Sequence, residues 1–377
     1  MTSAIAAGAL AAAAKPIPLI APGPYAVGSS NFEVVEPQVP IIDYLKGRAG
    51  EGETQYVGDL LKHPAAALQF VADMPQVPAD APPPFHAYAG RKLPFAMYVL
   101  YPTTADNPRP DYRFPYAETA DNLFPHMQRA GEKPLPAQAS ARYPLILFSH
   151  GYEGHGLWDL DHLKFLAAQG YVVASVFYGD GRGPGEANFG MRPLVLGKAL
   201  DYLLGHPDFA PMIDAARIGV SGSSFGGYTI LTAMGGARVD LIPSLPDPRI
   251  QAGFATVPYV EHQGFAYFGK SQAGLQKVTR PFLAVYGEAD TVSLPGSVEA
   301  GVRQLGGDSV AVALEGEEHI LSPRAWPVVY TWETLFFNAW LRGDATAKQQ
   351  LYGGDSVAGE VANRKTWQRV DGKVTKG

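Results

Sequence analysis

The stretch "GVSGSSFGGYTI", residues 219–230, decides how the rest of the chain is read. It holds Ser221, Ser223 and Ser224, and only Ser224 has a glycine two positions before it, Gly222, and another two after it, Gly226. The residues leading in, "ARIGV", read as a short buried strand, and "YTILTAMG" behind them carries apolar residues at helical spacing. A serine on such a strand-to-helix corner sits in a sharp, strained turn that lifts its hydroxyl clear of the sheet, where neighbouring side chains would collide. Glycine at both flanks is therefore a steric requirement, and Ser224 is the serine expected to carry chemistry. A glycine-rich turn can match so short a pattern by accident. A catalytic Ser224 requires partners elsewhere in the chain.

Upstream and downstream, apolar runs with β character alternate with helical patterns. "YPLILFSHG", "YVVASVF", "ARIGVSG", "RIQAGFAT", "RPFLAVYG" and "SVAVALEG" read as strands. Between and after them "LWDLDHLKFLAAQG", "RPLVLGKALDYLLGH", "PGSVEAGVRQLG" and "AWPVVYTWETLFFNAWLRG" read as helices, the first stopped by Gly170. Such alternation predicts an α/β fold, a mostly parallel central sheet with helices on both faces and added loop or helical insertions. "KLPFAMYVLYP" adds a strand before a long loop over 102–143, and "NFEVVEP" an extended segment. The predicted organisation is a leader over 1–24, a catalytic domain over 25–345 and a C-terminal extension over 346–377. Within the domain lie an insertion at about 41–90, whose "GDLLKHPAAALQFVADM" reads as a helix with Pro64 near its start, and a cap at about 256–280.

Bulk properties narrow the functions. The 377 residues suffice for a large core. A net charge of −6 without any run of Lys and Arg gives no footprint for nucleic acid. The absence of cysteine removes disulfides, thiolate nucleophiles and Cys-based zinc sites. The apolar run from Ala4 to Ala14 is too short to span a bilayer and lacks a basic n-region. It reads as a trimmed export signal, implying a secreted or periplasmic protein, or as a disordered leader on a cytoplasmic one. No membrane span is expected.

In parallel sheets chemistry gathers at the carboxyl ends of the strands. A serine hydroxyl needs a base to take its proton, and the base needs a partner to fix its tautomer. His319 in "LEGEEHI" follows the last strand of the alternation, and Asp290 in "VYGEADTVS" follows the preceding one. Glu288 and Glu318 are the reserve acids. Asp290 is preferred because it keeps a Gly-x-x-Asp turn with Gly287. The loop "FSHGYEGHG" after the first core strand is expected to supply one oxyanion donor, the amide of Tyr152, and the residue after the nucleophile, Phe225, the other. His150 is read as a structural hydrogen-bonding residue. His150, His155 and His162 lack both an i,i+4 pair and a carboxylate at ligand spacing, so no metal site is assigned.

"FSHGYEGH", "GVSGSSFGG", "VYGEAD" and "EGEEH" together resemble the α/β-hydrolase superfamily, whose chain order of nucleophile, acid and histidine is the order of Ser224, Asp290 and His319. "GPYAVGSSNFEV" with "RKLPFAMYVLYPT" resembles the branch of predicted dienelactone hydrolases, platelet-activating-factor acetylhydrolases and bacterial polyester hydrolases, over roughly 24–34 and 91–342. Dienelactone hydrolases use a cysteine nucleophile, which this chain lacks. The acetylhydrolases place their acid after an earlier strand, where "GFATVPYVEH" here has no aspartate, and this too favours Asp290. The resemblance implies ester cleavage through an acyl-enzyme, without metal or organic cofactor.

The expected substrates are small or aromatic carboxylic esters, with polyester chains as a further option. Trp158, Tyr259, Phe265 and Tyr267 are the aromatic residues expected to wall the pocket, with core packing as their alternative role. Asp180 and Arg182 in "FYGDGRG" stand at another strand end, to pair with each other or line the cleft. An amidase or peptidase with the same triad, and a non-catalytic binding protein on a hydrolase fold, are the competing functions.

Overall fold

A computed structural model of the chain describes residues 15–33, 48–49, 53–54, 63, 65–76, 79, 89–114, 122–152, 154–178, 185–236, 246–260 and 267–377. Eleven strands form one sheet. They are β1 Ala26–Ser29, β2 Leu68–Asp73, β3 Lys92–Thr103, β4 Tyr143–Ser149, β5 Val172–Phe177, β6 Ile213–Ser223, β7 Ile250–Thr256, β8 Phe282–Gly287, β9 Ser309–Leu314, β10 Asn363–Val370 and β11 Lys373–Lys376. The spatial order is β1-β3-β5-β4-β6-β7-β8-β9-β10-β11. β2 pairs with β3 as well, with Leu68 opposite Met97.

From β5 to β9 all neighbours run parallel, whereas β3 and β10 meet this block antiparallel. The parallel strands are apolar because both of their faces are covered: "YPLILFS" of β4 and "VVASVF" of β5 are buried at every position. Among the described residues the α-helices are α1 Leu160–Ala168, α2 Gly185–Gly205, α3 Phe225–Ala233, α4 Pro295–Gln304, α5 Trp326–Leu341 and α6 Ala345–Gly353. Residues of α2, α3 and α4 share one core cluster with one face of the sheet, and those of α1, α5 and α6 share a second cluster with the other. The protein is thus an α/β structure with a large, mostly parallel sheet.

The order of strands reverses between β4 and β6. From β4 the chain steps outward to β5, then crosses back over β4 to β6 and proceeds in the opposite direction to β9. The loops leaving β4 and β6 therefore part to opposite sides, and such a switch point is where open α/β sheets leave room for a ligand. Ser224 and the 150–152 loop stand at these two strand ends.

The predicted helix over "GDLLKHPAAALQFVADM" is corrected in its described part. Residues 68–73 form β2, and their burial alternates along "LQFVAD", the period of a strand with one covered face. Pro64 lies outside the described residues. α2 begins at Gly185, ahead of the predicted start, with Pro193 inside it. Proline there removes one helical hydrogen bond, and burial of Met191, Val195 and Leu196 holds the helix together across the gap. At the N-terminus, Ile17 is buried and its backbone bonds to Ser356 and Ala358. The C-terminal stretch adds α6, capped by the Asp344 carboxylate, and the two antiparallel strands that end the sheet. No described helix is long and apolar enough to cross a membrane.

Candidate active site

β6 ends at Ser223 and α3 begins at Phe225, so a single residue, Ser224, makes the corner. Its backbone sits at φ 52° and ψ −117°, a region L-residues rarely adopt and one that stores strain. Three backbone bonds hold it there: Ser224 N–H donates to the Thr256 carbonyl (3.0 Å), and the Ser224 carbonyl accepts from the amides of Gly227 (2.8 Å) and Tyr259 (2.9 Å). The flanking glycines have definite reasons. A Cβ on Gly226 would lie 1.8 Å from the Ser149 carbonyl oxygen, and one on Gly222 would lie 2.6 Å from the Gly226 carbonyl. Helix α3 can start against the end of β4 only if residue 226 has no side chain.

The loops after β8 and β9 bring the two expected partners to Ser224. His319 Nε2 lies 2.9 Å from Ser224 Oγ, and His319 Nδ1 lies 2.8 Å from Asp290 Oδ2. A carboxylate only accepts, so Nδ1 carries the ring proton and Nε2 is left to accept from the serine hydroxyl. The Asp290 side chain is wholly buried, and its other oxygen accepts from the amides of Val292 (2.7 Å) and Ser293 (2.9 Å). The loops are laced together as well: Ala289 N–H donates to the Glu317 carbonyl at 2.9 Å. A Cβ on Gly287 would lie 2.2 Å from that same oxygen, which accounts for glycine in the Gly-x-x-Asp turn. Buried Glu317 accepts from both the amide (2.6 Å) and the hydroxyl (2.8 Å) of Ser322 and so closes the loop around His319. Glu288 is engaged by Arg364, and Glu318 is exposed to solvent.

On the opposite side of Ser224 runs the loop after β4. A Cβ on Gly151 would stand 3.5 Å from Ser224 Cβ, so this backbone flanks the serine directly. The half-exposed Tyr152 ring meets Phe225 edge to face at 5.8 Å. Behind the loop His150 is buried, with Nδ1 2.8 Å from the Gly151 carbonyl oxygen. Arg192 of α2 is also buried; its guanidinium donates to the carbonyls of His150 (2.6 Å) and Gly151 (3.0 Å) and rests on the rings of Tyr178 (4.6 Å) and Phe225 (4.7 Å). Burial first, and the Arg192 charge second, hold the His150 ring well below the usual imidazole range. His150 has the structural place expected of it.

Ser221 serves another purpose. Its hydroxyl donates to Glu333 Oε1 (2.7 Å) from within the sheet, and the other Glu333 oxygen pairs with His162 Nε2. Glu333 is fully buried in α5, and the His162 ring stacks on Tyr330 at 5.5 Å. Burial disfavours the charged ring, but the Glu333 carboxylate outweighs it and raises the His162 pKa. Burial also raises Asp159, next to this pair, to about 6. Neither Glu333 nor Arg192 is among the residues singled out from the sequence. Their signal there is one charge in an otherwise apolar helical pattern, in "WPVVYTWETLFFNAW" and in "GMRPLVL".

Of the aromatic residues expected at the pocket, Tyr259 and Tyr267 lie 5.5 Å apart, Tyr259 against Phe225 and Tyr267 against Tyr228 of α3. Trp158 is half exposed, its ring 5.1 Å from His155. Phe265, Asp180 and Arg182 lie outside the described residues. Among the described residues no three His, Asp and Glu side chains are grouped to hold a metal ion. A scan against protein-family models finds no match to this chain, and a search among curated proteins finds none either.

Proposed function

We propose that this chain is a serine esterase built on an α/β-hydrolase fold. The observation that carries the reading is the relay of Ser224, His319 and Asp290, linked at 2.9 and 2.8 Å, with the serine strained at a strand-to-helix corner. Three side chains separated by 66 and 29 positions (290 − 224 and 319 − 290) meet beyond the carboxyl ends of β6, β8 and β9, in the chain order of that superfamily.

Ser224 Oγ attacks the ester carbonyl while its proton passes to His319 Nε2, and Asp290 steadies the imidazolium that results. The amides of Tyr152 and Phe225 receive the oxyanion. His319 then delivers its proton to the departing alcohol, leaving an acyl-serine. Water, deprotonated by the same nitrogen, attacks the acyl-serine, and the carboxylic acid leaves as Ser224 regains its proton.

The preferred substrate is an apolar ester. Tyr152, Trp158, Val292, Leu294 and Ile320 are all exposed; Tyr152 is itself an oxyanion residue, Val292, Leu294 and Ile320 stand within four positions of a triad residue, and Ile320 retains 81% of its free exposure. Large apolar side chains left in water on the loops that carry a site are what an apolar ligand would cover. The test is labelling with a fluorophosphonate probe alongside p-nitrophenyl esters of increasing acyl length. Labelling at Ser224 with ester turnover is expected, and Ser224→Ala should lower kcat at least about 10,000-fold without unfolding the protein. Turnover of anilides above esters would replace the esterase with an amidase. Neither labelling nor turnover would leave a non-catalytic binding protein, and full activity in Ser224→Ala would remove Ser224 from the mechanism.

A further inference from the structure

We propose that Arg192 is a positioning residue of the oxyanion site, acting through the peptide unit between Gly151 and Tyr152; this rests on the esterase reading above. In a trans peptide the C=O of one residue and the N–H of the next point in opposite directions. Whatever anchors the Gly151 carbonyl therefore also aims the Tyr152 amide. The carbonyl has three donors around it: Arg192 Nη2 at 3.0 Å, His150 Nδ1 at 2.8 Å and Gly154 N at 3.2 Å. The preceding carbonyl, of His150, is held by Arg192 Nη1 at 2.6 Å. One guanidinium fork thus spans two successive peptide units and fixes the plane of each, a bidentate hold that a lysine ammonium does not reproduce. The Tyr152 N–H is left pointing away from the arginine, in a loop whose Gly151 backbone lies beside Ser224.

The arginine is itself held rigidly. It is fully buried, and its guanidinium rests on the rings of Tyr178 and Phe225. Phe225 is the residue whose amide is the second proposed donor, so the same side chain touches both donor-bearing segments. Burial, and the Arg192 charge after it, keep the neighbouring ring neutral, and its Nδ1 donates to the Gly151 carbonyl that it faces at 2.8 Å. Cradling the loop in this way prepares the amide for charge that develops only in the transition state.

The test compares wild type with Arg192→Lys and Arg192→Met by three measurements: kcat and KM on a p-nitrophenyl ester, affinity for an alkylboronic acid that forms a tetrahedral adduct on serine, and thermal melting. Mis-aiming one donor is expected to lower kcat about 100-fold in Arg192→Met, with KM within about threefold. Boronate affinity is expected to fall in parallel with kcat. Arg192→Lys should keep the fold, since it retains the stem and charge, yet recover less than about a tenth of the wild-type kcat. If Arg192→Met does not fold, Arg192→Lys decides the matter by the same three measurements. Folded variants with wild-type kcat and boronate affinity overturn the assignment alone, as does a loss confined to KM. Wild-type protein that neither turns over esters nor binds the boronate overturns the esterase reading and the assignment with it.

Discussion

Glu333→Gln tests the buried network beneath the sheet. Glu333 has no exposed surface and joins three elements, accepting from Ser221 on β6 and pairing with His162 on α1 from its own place on α5. Glutamine keeps the shape and can still bond to both neighbours, so what it removes is the charge. A hydrogen bond to a charged group contributes about 1.5–3 kcal/mol and a neutral one about 0.5–1.5, so two such bonds put the loss at about 2 kcal/mol. Alanine in place of Glu333 strands both partners in the interior and costs about 4 kcal/mol.

The distinguishing signature is pH. The folded-state pKa of His162 lies above its unfolded value, so its stabilising contribution is complete below about 6.5 and is lost as pH rises through the raised value. In Glu333→Gln the main cause of that rise is gone and burial dominates, so protonation of the unfolded chain now works against folding in acid. The stability gap between wild type and variant, from urea unfolding, should therefore widen from pH 8 to pH 5 by about 1.4 kcal/mol per unit of pKa difference. A gap that is equal at both pH values would refute the role of the carboxylate in holding a charged ring, and no gap at either would refute the network as a source of stability.

Asp290→Asn should keep its acceptor bonds to the Val292 and Ser293 amides yet lower kcat by about 10,000-fold, because an amide N–H facing His319 Nδ1 selects the wrong tautomer; steady-state kinetics beside circular dichroism check this. Gly226→Ala would put a methyl 1.8 Å from the Ser149 carbonyl oxygen, so a loss of about 3 kcal/mol or more in urea unfolding, together with lost turnover, is expected. Buried Lys365, pushed down to about 7 by burial, bonds to Leu351 and Gln368. Between about 7 and 10.4 the unfolded chain binds a proton that the folded chain does not, so stability rises with pH over that window. Wild type should accordingly gain on Lys365→Met from pH 7 to pH 10, and parallel profiles for the two proteins would refute it.

The alternation of apolar runs with helical patterns determined the α/β class, because strands covered on both faces must be apolar throughout, as β4 and β5 are. The Ser224 corner was equally legible, since the Gly-x-Ser-x-Gly pattern marks the turn itself: Gly222 answers to Gly226 within it, although the carbonyl that Gly226 must avoid, that of Ser149, belongs to the neighbouring β4. His319 and Asp290 were legible as strand-end residues, but their meeting depends on the registers of β6 to β9, which only the paired strands settle. The β2 strand was misread as helix because six residues with one apolar face fit either period until β3 supplies a partner edge. Arg192 and Glu333 stand out in the sequence only as lone charges in apolar patterns, and their roles were hidden for the same reason in stronger form. Nothing near them in the chain says what a buried charge will touch, and their partners, the carbonyls of the 150–151 loop and the side chains of Ser221 and His162, are assembled only when the layers pack. A sharp strand-to-helix corner leaves its glycines in the sequence and can be read there, whereas the bonds of a buried charge are made between elements and belong to the tertiary structure.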